Sequence, residues 1–137
     1  MGLDCLVFSV PKDNTVISID NELYYWRKNW EIFHFFQREF EYYSDKKHSF
    51  EVFKQICTAY KTISYDEFIK LSDDYCDIPT EVTKETMKRL KKEISSFDIN
   101  CTLFSSKRAM YEDFKQFEKA VNESLNNGNR LYFIGDF

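Results

Sequence analysis

The stretch YYWRKNWEIFHFFQREFEYY, residues 24–43, holds both tryptophans and a large share of the chain's aromatic bulk. At about 100° per residue, Tyr25, Trp26, Trp30, Ile32, Phe33, Phe36, Phe40 and Tyr43 fall within one broad arc, the pattern of a core-facing helix. The stretch therefore reads as the main helix of the fold, with Trp26, Trp30, Phe33, Phe36 and Phe40 as core. Arg27, Glu31, His34, Arg38 and Glu41 follow at spacings of four, three, four and three and line a neighbouring polar stripe. Phe35 and Tyr42 fall away from the tryptophan arc, near Lys28 and Glu39, and read as exposed rings.

Working outward, residues 3–10 (LDCLVFSV) favour β-structure and are closed by Pro11, with turn chemistry at Asp13 and Asn14. Residues 16–19 could add a short extended piece, and Asp20 or Asn21 can cap the helix that follows. A polar turn is expected at residues 44–47. Residues 50–53 are ambiguous, and residues 56–63 (ICTAYKTI) read as a strand. Ser64 and Glu67 then form a capping-box pattern, with Phe68, Leu71 and Tyr75 as the apolar side of a short helix.

Residues 83–95 read as a helix with a narrow apolar stripe at Met87, Leu90 and Ile94, its other sides carrying Lys84, Lys88, Arg89, Lys91 and Lys92. Residues 97–104 are a third strand candidate. Ser105 or Ser106 can cap a helix with apolar Met110, Phe114, Phe117, Val121 and Leu125, stopped at Gly128, where glycine accepts the left-handed conformation. Residues 130–134 make a last strand. Mostly apolar strands near both chain ends suggest inner sheet positions. The pattern is α+β: about four strands in a mixed or antiparallel sheet, packed by one long and two to three shorter helices, in one domain spanning residues 1–137.

Composition removes several function classes. Charged residues are 31% and apolar ones 43% of the 137, so the chain is neither a disordered tail nor a membrane protein. No stretch has the roughly 20 apolar residues a bilayer crossing needs, and no basic-then-apolar secretory signal opens the chain, so a cytoplasmic protein is expected. The net charge of −4 argues against non-specific nucleic-acid binding, and no sequence-specific DNA binding is expected. The three glycines (Gly2, Gly128, Gly135) cannot build a nucleotide-binding loop. Cys5, Cys57, Cys76 and Cys101 form no C-x-x-C pair, so no metal site and no cofactor are expected. No nucleophile, acid–base pair or metalloprotease motif is present, and a non-enzymatic role follows.

MGLD at residues 1–4, YWRK at 25–28 and His34 shortly after resemble a widespread family of small, uncharacterised phage and prophage proteins. In that family an I-H pair follows YWRK; here it is loosened to IFH at residues 32–34. Cys57 matches the family's later cysteine, and residues 131–133 (LYF) its last aromatic strand. The family's aromatic-glycine strand is replaced by CTLFSS at 101–106, and its serine-tryptophan ending by GDF at 135–137. The resemblance implies a phage-type origin and a host-cytoplasm setting, and brings no activity with it.

The candidate binding surface is Tyr25, Arg27, Lys28, His34, Phe35 and Arg38. Arginine forks match carboxylates or phosphates, and aromatic rings plus arginine are enriched at protein interfaces. The sequence points to a phage-derived protein that binds and inhibits a host protein or complex, in the manner of an anti-CRISPR counter-defence protein. The alternative is a binder of an anionic nucleotide or cyclic nucleotide. The bland reading of the same stripe is a set of helix salt bridges among Arg27, Glu31, Arg38 and Glu41.

Overall fold

A computed structural model describes residues 2–12 and 17–137. The expected turn at Asp13 and Asn14, and Val16 of the expected extended piece, lie outside the described residues; residues 17–19 form no strand. The element order is β1 (Asp4–Val10), β2 (Glu22–Arg27), α1 (Trp30–Tyr42), α2 (Lys46–Ile56), α3 (Tyr65–Leu71), β3 (Thr80–Val82), α4 (Lys84–Glu93), α5 (Lys107–Asn126) and β4 (Arg130–Asp136). The four strands form one sheet in the order β2-β1-β4-β3, every pairing antiparallel, with helices packed on it. This is the expected α+β fold, and the mostly apolar β1 and β4 take the inner positions.

The expected long helix over residues 24–43 is two elements. The alternation in LYYW suits a pleated strand, with Trp26 buried and Tyr25 and Arg27 turned to solvent. Lys28 then takes φ 54, and Asn29 caps α1 by accepting a hydrogen bond from the Ile32 amide at 3.0 Å. A cap and a left-handed residue at adjacent positions stop the helix from extending back through Arg27. Trp30 therefore sits in the first turn and is 37% exposed, instead of buried as expected.

Two other expected strands are not formed. Residues 56–63 hold the end of α2 and a short 3-10 turn at Thr58–Tyr60, because α2 continues far enough to bury Val52 and Phe53. Its start is the polar turn at residues 44–47, where Asp45 accepts from the His48 amide at 3.2 Å. Residues 97–104 contain the 3-10 turn Ile99–Cys101 and a single antiparallel bridge, Asn29 to Thr102. The strands the sequence reading did not find are β2 and the three-residue β3.

Two caps behave as read: Ser64 accepts from the Glu67 amide at the start of α3, and Ser106 from the Ala109 amide at the start of α5. Asp20 and Asn21, expected to cap a helix, instead precede β2, and Thr83, not read as a cap, exchanges hydrogen bonds with Thr86 at the start of α4. One sheet face carries Cys5, Val7, Trp26, Leu131 and Phe133, and packs against the apolar sides of α1, α4 and α5. Phe36 stacks on Phe133 with ring centroids 4.1 Å apart. A smaller cluster of Phe8, Val10, Tyr132 and Ile134 meets Val52 of α2. Each fully buried side chain of this size contributes roughly 1.5–3 kcal/mol.

Candidate functional site

Residues 2–4 and 25–28, the described parts of the two quoted motifs, lie side by side. Asp4 is register partner of Arg27, Cys5 of Trp26 and Leu6 of Tyr25, and the Lys28 amide donates to the Leu3 carbonyl at 2.6 Å. The Tyr25 hydroxyl donates to the Asp4 carboxylate. That bond, ahead of burial, raises the Tyr25 pKa. Asp4 is also register partner of Asp136 on the other side of β1.

The six candidate residues do not share one helix face. Tyr25 and Arg27 belong to β2, and Lys28 is the left-handed link to α1. His34 is exposed on α1 between the rings of Trp30 and Phe33, at 6.0 and 5.5 Å, with Nδ1 3.3 Å from Gln37 Oε1. Arg38 is exposed further along α1, and its Nη2 donates to Glu93 Oε2 at 2.6 Å. Arg27 forms no ion pair among the described residues.

Phe35, expected to be exposed, is buried edge-on against Phe36. The reason is that α1 is covered on two sides, by the sheet and by α4, so its buried arc is wider than the tryptophan pattern implied. The salt bridges anticipated within the stripe are also different: Arg38 pairs with α4, and Glu31 accepts from the Asp98 amide at 2.8 Å.

Three features were missed from sequence. The first is Glu39, buried on α1, which receives Arg89 of α4 through Nε at 3.0 and 2.9 Å and Nη2 at 2.8 Å. The same guanidinium lies 3.8 Å over the Tyr43 ring. A charged residue four and three positions from Phe35 and Phe36 was a signal of a buried pair, although its partner was not readable. Around it runs a groove of about 300 Å³ bordered by Arg38, Tyr42, Tyr43 and Lys92. Tyr42 and Tyr43 are 69% and 62% exposed.

The second is Asp113 of α5, which accepts from the Tyr24 hydroxyl at 2.6 Å and from Trp26 Nε1 at 2.9 Å. Burial, then the bond to Asp113, raises the Tyr24 pKa, so the phenol stays a donor. A trough of about 180 Å³ lies here between Tyr25 and Arg27 on one side and Leu103 and Phe104 on the other.

The third is a set that the cysteine spacing concealed: Cys76, Asp77 and Asp136 each offer an atom within 4.8 Å of the others. Burial, then the Asp136 charge, raises the Asp77 pKa; burial, then the charges of Asp77 and Cys76, pushes the Cys57 thiol up to about 11. Thiols with raised pKa values are poor nucleophiles.

No described helix is long and apolar enough to cross a membrane. No protein-family model, curated protein or solved structure matches the chain.

Proposed function

We propose that the chain is a phage-type binding protein that occupies a surface of a host protein or complex in the host cytoplasm, as a counter-defence protein of the anti-CRISPR kind does. The observation that carries this reading is the open groove between α1 and α4, where Tyr42 and Tyr43 stand exposed beside Arg38, Arg89 and Lys92. Tyrosine and arginine are the side chains that most often anchor protein interfaces. Arg89 is held by Glu39 and stacked on Tyr43 before any partner arrives, which lowers the entropy cost of association. The MGLD and YWRK resemblance supports the phage setting.

The test is repeated affinity capture from host lysate with wild type and with Tyr42→Ala/Tyr43→Ala, followed by binding measurements on the purified partner. A reproducible host protein whose affinity falls at least about tenfold in the variant is expected, equivalent to about 1.4 kcal/mol. Recovery of no partner, or equal binding by the variant, refutes the reading.

A second reading, capture of an anionic nucleotide, is favoured by the trough where Arg27 stands beside Tyr25 and Trp26. The Asp113 carboxylate on its wall opposes an anion, and His34 and Arg38 lie in other surroundings. A ligand at about 100 times its dissociation constant adds roughly 2.7 kcal/mol of stability. Unchanged melting across nucleotides and cyclic nucleotides eliminates it.

A further inference from the structure

β2 is an edge strand whose only strand partner among the described residues is β1. The bond from the Lys28 amide to the Leu3 carbonyl sets the phase of this antiparallel pair. Lys28, Trp26 and Tyr24 direct their main-chain groups to β1, so Tyr25 and Arg27 direct theirs outward. The chain begins to cover this edge with the Asn29–Thr102 bridge, then leaves it: the Phe104 amide turns back to Thr102 Oγ1 at 3.4 Å, and the trough beside Tyr25 and Arg27 stays open. An exposed edge with aromatic side chains is a template for another strand.

The geometry points to a second copy of this chain as the occupant, its β2 antiparallel to the first about a two-fold axis at Trp26. In this register Tyr25 faces Arg27 of the other copy, twice by symmetry, so both outward-facing residues of each chain exchange main-chain hydrogen bonds. The charges fit: Arg27 has no ion pair among the described residues, and the Tyr25 ring it would meet is bonded to the Asp4 carboxylate. The shared pairing spans Tyr24–Lys28 of each copy and stops at the bulge at Leu23, short of the Asn29–Thr102 bridge. The result is a continuous eight-stranded sheet with a self-complementary interface, the commonest form of oligomer symmetry. This surface is separate from the α1–α4 groove, and its test is independent of any host partner.

The experiment is sedimentation of the full chain over two decades of concentration, up to about 10⁻⁴ M, since an edge contact of this size lies below about 1,200 Å² and associates weakly. A concentration-dependent dimer is expected. Tyr25→Pro, which removes an outward N–H at an edge position, should weaken it at least about tenfold, while Tyr25→Val, which keeps the N–H, should weaken it less. Circular dichroism confirms that each variant is folded. Register is read without proline by mixing Tyr25→Cys and Arg27→Cys proteins, each in a Cys101→Ser background, with oxidised glutathione: the mixed disulfide should form faster than either self-linked dimer. A chain that stays monomeric throughout, a dimer indifferent to Tyr25→Pro, or cysteines that link without preference overturns the inference.

Discussion

Replacing Arg89 by Met tests the central polar contact of the helical layer. Glu39 is 5% exposed at its side chain and Arg89 31%, and three N–H···O contacts of 2.8 to 3.0 Å join them. Removing one partner of a buried pair costs about 3–5 kcal/mol, because the remaining charge is left without compensation. Water reaches the Arg89 side of the pair, which places the cost near the lower end, at about 3 kcal/mol, including the stacking on Tyr43. For a chain of this length that is a fall of roughly 10 °C in melting temperature. Urea unfolding followed by tryptophan fluorescence, with an unchanged m-value, is the assay. The double variant Glu39→Met/Arg89→Met should recover most of the loss, since apolar replacement of a whole buried pair is close to neutral. A cost below about 1 kcal/mol for Arg89→Met, or a double variant no better than the single one, would refute the reasoning.

The remaining predictions concern the core and the acidic corner. Gly135→Ala puts a methyl 2.6 and 2.8 Å from ring carbons of Phe33, an overpacking that should cost about 1–3 kcal/mol in urea unfolding. Phe35→Ala should cost about 3–5 kcal/mol in urea unfolding, as a buried ring does. Asp77 has a raised folded-state pKa, so its ionisation opposes folding above that pKa and the penalty vanishes as pH falls below the unfolded value. Asp77→Asn, which tolerates the φ of 59 at that position, should therefore melt higher than wild type at pH 7, with the difference disappearing under acid conditions.

Much of the architecture was legible because it rests on local chemistry. Ser64 and Ser106 cap the helices they were assigned to, Met87 and Leu90 form the buried stripe of α4, and Leu131 and Phe133 lie in an inner strand. The break between β2 and α1 was not, because a tract in which half the residues are aromatic satisfies a period of two and of 3.6 at once. The deciding residues were Lys28 in a left-handed conformation and Asn29 as a cap, both of which look ordinary inside a helix. Of the candidate site, Arg27 is the surface group it was read as, Tyr25 was placed in the buried arc as well as on the binding surface and is exposed, and the company of both was not legible. Asp4 reaches Tyr25 through strand register, and Arg89 reaches Glu39 across fifty residues of chain, neither of which leaves a spacing in sequence.

The sheet order has a consequence for how the molecule is made. Its central pair joins β1 to β4, whose register partners run from Val10 with Arg130 to Asp4 with Asp136. A ribosome must add about 120 residues after β1 before that strand can meet this neighbour, and closing a loop of that length costs roughly 4 kcal/mol of entropy. Until then LVF of β1 waits with one side uncovered, able to pair only with β2, while the helices form around an incomplete sheet. Folding should accordingly be slow for a chain so rich in helix, with a rate set by the arrival of β4. Substitutions in β4 should slow folding more than substitutions in α5 of equal cost to stability, a difference that stopped-flow refolding would resolve.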